Sequence, residues 1–363
     1  MRTTTAWQSG DGTAQSGDST TRSGDGTTRS GSGATALARV PIERRDLRED
    51  DIAVRIDYCG VCHSDLHAIN HAPQGGGGLV PGHEFTGTVV AAGPSAARFA
   101  IGGRVAVGTI IDSCGSCPMC RAGQENYCAE FPTLTYNGTD RVDGSRTLGG
   151  YSREYVLREA FAYPLPDGLD PAAAAPLMCA GITVWEPLRA AGVGPGSRVA
   201  VAGLGGLGHL AVKLAAALGA EVTVLSRTPG KAADARALGA VDLVEPTEAA
   251  KERFDLVLDT ISAPHELSPL LRLLDLDGTL CLLGFLAPAI PVNAMDLLMG
   301  RKKLTSSGTG GRTRTAELLE FCAARGIVAD VEVVPSARVG EALTRLSNGD
   351  VRYRFVLDLS DLD

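Results

Sequence analysis

The run Val199–His209, V-A-V-A-G-L-G-G-L-G-H, constrains this chain more than any other stretch. Small and branched apolar residues lead into Gly203, Gly205 and Gly208, and Ala211–Leu218 downstream is a good helix former. A buried strand, a tight glycine turn and a helix start make up a dinucleotide-binding unit. In that unit Gly203 permits the turn, Gly205 lets backbone approach a pyrophosphate, and Gly208 lets helix pack on strand. Gly206 and Leu207 complete the cofactor-binding loop, and free N–H groups at the helix start face the phosphates. With 45 glycines among 363 residues the spacing alone is a weak signal, and the flanking strand and helix give it weight.

From Arg198 onward, strand and helix patterns alternate. Strands are expected at Arg198–Ala202, Glu221–Leu225, Leu256–Asp259 and Thr279–Leu283, with helices between them at Gly208–Leu218, Gly230–Leu238 and Leu267–Leu274. Buried, branched-rich strands of this kind form a parallel doubly wound α/β sheet, placed here at 165–295. Upstream, Asp51–Tyr58 alternates apolar and polar as a half-buried strand does, Gly149–Leu157 reads as a strand, and Pro171–Ala191 reads as helix, break and helix. The tail carries a helix at Thr315–Arg325 and a final strand at Arg354–Leu357. Because the nucleotide unit already has its elements, 296–363 is expected to rejoin 37–164. The architecture is then a catalytic domain interrupted by a nucleotide-binding domain, with a cleft between them.

Two domains also suit the length, and 44% hydrophobic content supplies their cores. A net charge of −8 without a basic run argues against nucleic-acid and anionic-membrane partners. With no apolar run of membrane-spanning length and no signal-peptide pattern, a soluble cytoplasmic protein is expected. Near the N-terminus, residues 3–7 suit a short strand. Ser-Gly then recurs at Ser9, Ser16, Ser23 and Ser30 in a stretch of Gly, Ser, Thr, Asp and Arg. The period is not a coiled coil, since nothing apolar occupies core positions, nor does it match calcium-binding repeats. Residues 8–36 are expected to be a disordered low-complexity segment, with order resuming near Leu37.

The nine cysteines are too unevenly spaced for a disulfide framework. Cys114, Cys117, Cys120 and Cys128 follow C-x2-C-x2-C-x7-C, and four thiolates so close together can surround one zinc. An iron–sulfur run shares the first two spacings but places its next cysteine after three residues. Structural zinc is the favoured reading, and four protein ligands leave it no open position. A second, dispersed group contains Cys62, His83 and Cys179. Spacing alone does not select them, because Cys59 and His63 are equally available.

The motifs Y-C-G-V-C-H-S-D-L-H (58–67), P-G-H-E-F-T-G (81–87), the four-cysteine run, G-G-Y-S (149–152), P-L-M-C-A-G-I-T-V-W (176–185) and G-L-G-G-L-G-H (203–209) occur in this order. Together they resemble the zinc-dependent medium-chain alcohol dehydrogenases, and more closely their cinnamyl-alcohol-dehydrogenase-like branch, which reduces aldehydes with NADPH. The resemblance runs from about Ile42 to Leu357. It implies a GroES-like, mainly β catalytic domain beside a Rossmann domain. It also implies two zincs per chain: a catalytic zinc on Cys62, His83 and Cys179, and a structural zinc on the four-cysteine set. Glu84 matches an acidic neighbour that can hold or replace a ligand, and Asp65 a carboxylate that orients the ligand histidine. Ser64 and His67 match a proton relay, while His63 and Thr183 match cofactor-facing positions. Trp185 resembles an aromatic near the substrate pocket, although core packing explains it equally well. The glycine-rich run Ala72–Leu79 departs from the branch's bulkier residues.

An NAD enzyme of this class usually ends its second strand in Asp or Glu. Here the strand is followed by Ser226, then Arg227, with Lys231 nearby. A hydroxyl and two cations favour the extra phosphate of NADP, which a carboxylate would repel. The expected reaction is reversible reduction of an aldehyde to a primary alcohol. Polyol or secondary-alcohol oxidation and a noncatalytic NADPH-binding protein stand as alternatives. A homodimer or homotetramer is expected from the resemblance.

Overall fold

Two sheets of different character organise the chain, as seen in a computed structural model that describes residues 1–10, 37–71, 78–246, 253–284 and 289–363. An N-terminal hairpin pairs β1 (Arg2–Ser9) with β2 (Leu37–Arg44). Next come β3 (Asp51–Val61), β4 (Phe85–Ala92), β5 (Arg104–Val107), a small ribbon of β6 (Ile110–Asp112) and β7 (Thr133–Leu134), then β8 (Glu154–Arg158) and β9 (Ala162–Pro164). The middle of the chain supplies β10 (Arg198–Ala202), β11 (Glu221–Leu225), β12 (Asp242–Val244), β13 (Phe254–Asp259), β14 (Leu274–Leu282) and β15 (Lys303–Ser306). Finally β16 (Val331–Pro335) and β17 (Arg354–Asp358) return to the first sheet.

The first sheet has seven strands in the order β16-β17-β3-β4-β5-β9, with β8 also paired to β3. Its core gathers Ile52, Val54, Ile56, Val61, Phe85, Tyr151, Phe355 and Leu357. The second sheet is parallel, in the order β12-β11-β10-β13-β14-β15. Strand β10, R-V-A-V-A, lies at its centre with its last four residues buried. A central parallel strand is covered on both faces, which explains its unbroken apolar run. The strand order reverses at β10, and in open α/β sheets ligands bind beyond the strand ends at that switch point.

The helices are α1 (His63–Asn70), α2 (Pro118–Arg121), α3 (Pro171–Ala174), α4 (Ala180–Ala190), α5 (Gly208–Ala217), α6 (Ala232–Ala237), α7 (Ser268–Arg272), α8 (Ala294–Leu298), α9 (Arg312–Arg325) and α10 (Val339–Ser347). Between α3 and α4 a 3-10 turn spans Ala175–Met178, so the expected break in Pro171–Ala191 falls just before Cys179. No helix among the described residues is long and apolar enough to cross a membrane.

Several sequence expectations need correction. The parallel sheet extends beyond 295, because β15 pairs with β14 through Leu280 and Leu304. Strand β12 likewise has no counterpart among the strands expected from the sequence. Both are short edge strands without a buried residue, so no apolar run announces them. Helix α9 also leaves the tail's expected domain: Leu318, Leu319 and Cys322 share a core with Ile182, Leu188 and Val201. The expected strand from Gly149 begins only at Glu154. Gly149, Gly150 and Tyr151 instead donate backbone hydrogen bonds to Val80, Gly82 and Pro81. At the N-terminus, β1 carries order through Ser9, two residues into the expected disordered segment 8–36. Residues 11–36 of that segment, and 72–77 of the run Ala72–Leu79, lie outside the described residues.

Candidate active site

Strand β3 ends at Val61 and delivers Cys62 to the start of α1. Glycine is required just before this point, because a Cβ on Gly60 would fall 2.3 Å from the Glu84 carboxylate. Strand β4 begins one residue after Glu84, while Cys179 precedes α4. The ligand atoms of Cys62, His83 and Cys179 come within 4.8 Å of one another. His83 Nε2 lies 3.2 Å from Cys179 Sγ. The Cys62 thiol is held well below its ordinary pKa, first by a hydrogen bond from Cys179 and also by Arg354 and His83.

Asp65 is fully buried beneath this trio. Its carboxylate lies 3.0 Å from His83 Nδ1 and accepts from Gly82 N–H at 3.0 Å, Cys62 N–H at 2.9 Å and the Tyr151 hydroxyl at 3.2 Å. With Nδ1 donating to Asp65, His83 presents a bare Nε2. The contact with Cys62 N–H also caps α1, so Asp65 serves the helix and the histidine together. Two thiols and an oriented imidazole form a donor set suited to zinc with room for a further ligand. Glu84 is also fully buried and ion-pairs with Arg354, while its second oxygen, Oε2, has no partner among the described residues. Burial pushes the Glu84 carboxyl up to about 7, against the pull of Arg354.

The second cysteine set lies around α2. The sulfurs of Cys114, Cys117, Cys120 and Cys128 come within 4.8 Å of one another. Backbone N–H groups of Cys117, Cys120 and Ala129 point at them from 3.3, 3.4 and 3.5 Å. Donors aimed at sulfur favour thiolates, and the N–H groups of Ser116 and Cys117 draw Cys114 down to about 6. Four sulfurs so placed suit a closed tetrahedral zinc.

A cleft of about 530 Å³ opens between the two sheets. Cys62, His63, Ser64 and His67 line one wall, while Gly205, Gly206, Leu207 and Lys231 line the other. The Ser64 hydroxyl is 3.7 Å from Cys62 Sγ, and His67 follows one turn later on α1. Gly203 has a φ of +91°, the left-handed region that favours glycine. A Cβ on Gly208 would fall 2.2 Å from the Gly203 carbonyl oxygen, whereas Gly205 faces open space. Lys231 Nζ donates to the Leu204 carbonyl at 3.0 Å.

Not every expected residue reaches the cleft wall. Ser226 follows β11 directly and accepts from Thr228 N–H at 3.2 Å, and Arg227 is exposed beside it. Thr183 is buried on α4 and donates to the Gly308 carbonyl at 2.8 Å. Trp185 is core: it is 1% exposed, with its ring centroid 4.6 Å from that of Phe321. Sequence reasoning missed Arg354, Tyr151 and Tyr353. Pairing of Phe355 with Val61 sets Arg354 beside Cys62, although Arg354 and Glu84 are 270 residues apart. The G-G-Y-S motif contained Tyr151, but only the fold reveals its bond to Asp65.

Comparisons with known proteins bear on the family and on the two-sheet fold. The family model for the alcohol dehydrogenase GroES-like domain matches residues 48–167, and the model for zinc-binding dehydrogenase matches 206–324. Aldehyde reductase YahK of Escherichia coli is 42% identical over 332 residues, spanning 89% of this chain and 94% of its own. NADP-dependent alcohol dehydrogenase C of Mycobacterium tuberculosis is 42% identical over 332 residues, spanning 90% of this chain and 96% of its own. Among solved structures, a cinnamyl alcohol dehydrogenase of Sorghum bicolor superposes with a TM-score of 0.88 at 36% identity, covering 98% of both chains. Likeness over nearly the whole chain, in both sheets at once, places this protein in the zinc-dependent alcohol dehydrogenase family, in its cinnamyl-alcohol-dehydrogenase-like branch.

Proposed function

We propose that this protein reversibly reduces aldehydes to primary alcohols with NADPH, using a zinc held by Cys62, His83 and Cys179. The observation that carries the reading is the shared cleft: Cys62, Ser64 and His67 face Gly205, Gly206 and Lys231 across it. When bound, zinc polarises the carbonyl oxygen and NADPH supplies hydride.

The chain's own residues do the rest. Asp65 fixes the His83 tautomer and so keeps Nε2 available. Ser64 hands a proton to the substrate oxygen, and His67 resupplies it from the exposed side of α1. In alcohol oxidation the same pair carries the proton outward. Glu84, held by Arg354, keeps a carboxylate beside the ligand set as an alternate ligand. The glycine turn receives the pyrophosphate, with Gly203 and Gly208 shaping it. Lys231, aided by Ser226 and Arg227, takes the phosphate that distinguishes NADP from NAD, while His63 and Thr183 face or support the cofactor. Cys114, Cys117, Cys120 and Cys128 hold a second, structural zinc.

All nine cysteines are free of disulfides, which suits a reducing cytoplasm. A homodimer or homotetramer is supported by the exposed apolar side chains of Met295 and Leu298 on α8 and of Met299 just after it. Light scattering distinguishes these assemblies.

The deciding test follows NADPH and NADH oxidation with aromatic and aliphatic aldehydes, with zinc counted on the same sample. Turnover with NADPH and about two zincs per chain is expected. Turnover with NADH alone sinks the roles of Ser226, Arg227 and Lys231. Tight NADPH binding without turnover on any aldehyde favours a noncatalytic protein.

A further inference from the structure

We propose that Tyr353 is a positioning residue for the coenzyme: its ring holds the glycine turn, and its hydroxyl holds the Lys231 loop. The proposal rests on the reading of the cleft as an NADPH site. Tyr353 immediately precedes β17 of the seven-stranded sheet, yet its ring and hydroxyl contacts lie on the nucleotide side. Its ring stacks on His209 of α5, with centroids 4.8 Å apart and planes 12° apart. Its hydroxyl donates to Asp234 of α6 at 3.3 Å.

His209 transmits the first contact. It is fully buried, with Nδ1 3.1 Å from the Gly205 carbonyl oxygen. Its Nε2 accepts from Asp330 N–H at 3.3 Å, so the hydrogen sits on Nδ1 and points at Gly205. The Tyr353 N–H donates to the Asp330 carbonyl at 3.0 Å. Tyr353, His209 and Asp330 thus form a closed set against the glycine whose backbone approaches a pyrophosphate. A Cβ on neighbouring Gly206 would fall 2.9 Å from Arg354 Cδ and 3.4 Å from the Tyr353 carbonyl oxygen, which shows how closely the two sides meet.

Asp234 transmits the second contact. It sits in the first turn of α6, directly after Lys231. Arg352 pairs with the same carboxylate oxygen, Oδ2, at 2.9 Å. Arg352 and Tyr353 therefore grip one acidic group on the helix that follows Lys231, while Arg354 grips Glu84 beside the metal ligands. Three consecutive residues tie the metal ligands, the glycine turn and the phosphate-selecting loop to one strand.

The two contacts have separable consequences. The stack acts on the turn, which serves both coenzymes, whereas the hydroxyl acts on the Lys231 loop, which carries the extra phosphate and meets the turn through Lys231 Nζ on the Leu204 carbonyl. Zinc-loaded full-length protein is titrated with NADPH and with NADH by nucleotide fluorescence, with thermal unfolding as a check on folding. Tyr353→Phe keeps the ring, and it is expected to raise the NADPH Kd about fivefold and the NADH Kd less than about twofold. Tyr353→Leu removes the stack and is expected to raise both by about tenfold. On a Lys231→Ala background, Tyr353→Phe is expected to add nothing for NADPH. Equal weakening of both coenzymes by Tyr353→Phe, no weakening at all, or an effect that persists without Lys231 overturns the proposal. If Tyr353→Leu leaves NADH binding intact, the His209 route is overturned. A wild-type protein that prefers NADH instead overturns the NADPH reading, and the phosphate-selecting arm falls with it.

Discussion

Asp65 shows how much one buried residue can organise. A carboxylate removed from water needs several donors to offset its desolvation, and here three N–H groups and a phenol surround it. Two of those donors belong to residues of the ligand trio, so the carboxylate positions both Cys62 and His83. Asp65→Ala is expected to weaken the site's zinc affinity by about 10- to 100-fold, while the four-cysteine site keeps its metal. Metal analysis after dialysis against a mild chelator should find close to one zinc per chain. Retention of two would show that the thiols and imidazole need no such support. The Glu84–Arg354 pair is equally buried, and removing one partner would leave the other's charge uncompensated.

At the scale of elements, the turn between β10 and α5 separates glycines needed for folding from a glycine needed for a ligand. Gly208 packs against the Gly203 carbonyl, while Gly205 has nothing within 4 Å of where its Cβ would sit. Gly205→Ala should therefore fold normally, with a melting temperature within about 2 °C of wild type, yet lose NADPH affinity by at least about tenfold. Gly208→Ala must displace backbone and should lower the melting temperature by about 3–10 °C. Scanning calorimetry beside nucleotide titration separates the two. Equal thermal damage from both would mean that Gly205 also serves packing. The metal lobe is a second instance of local design: a loop with little core of its own is ordered around sulfurs that backbone N–H groups already face.

The whole molecule meets at His209, which joins the nucleotide helix to the returning strand. Burial holds its imidazole down to about 3, against an ordinary value of 6.5. Unfolding releases it to take up a proton near its ordinary pKa, while the folded chain keeps it neutral far lower. Its contribution to stability is thus fully present above pH 6.5 and is lost as pH falls from 6.5 toward 3. The slope from this one group is at most about 1.4 kcal/mol per pH unit. Urea unfolding at several pH values between neutrality and pH 5 should show wild type losing stability faster than His209→Gln. Parallel profiles for the two proteins would remove His209 as the source.

Much of this protein was legible along the chain, because the signals were local. The strand–glycine–helix run from Val199, the four-cysteine spacing and the apolar strands β10, β11, β13 and β14 each depend on neighbours within a few residues. The dispersed ligands were a different case. Cys62, His83 and Cys179 were named through the resemblance, since spacing could not separate Cys62 from Cys59. Short edge strands β12 and β15 leave no apolar pattern in the sequence, because an edge buries too little. Tertiary structure alone set Arg354 beside Glu84, Tyr151 on Asp65, and Tyr353 between His209 and Asp234. Those contacts depend on strand pairing and packing between residues far apart in sequence, where the energy comes from burial and charge in three dimensions.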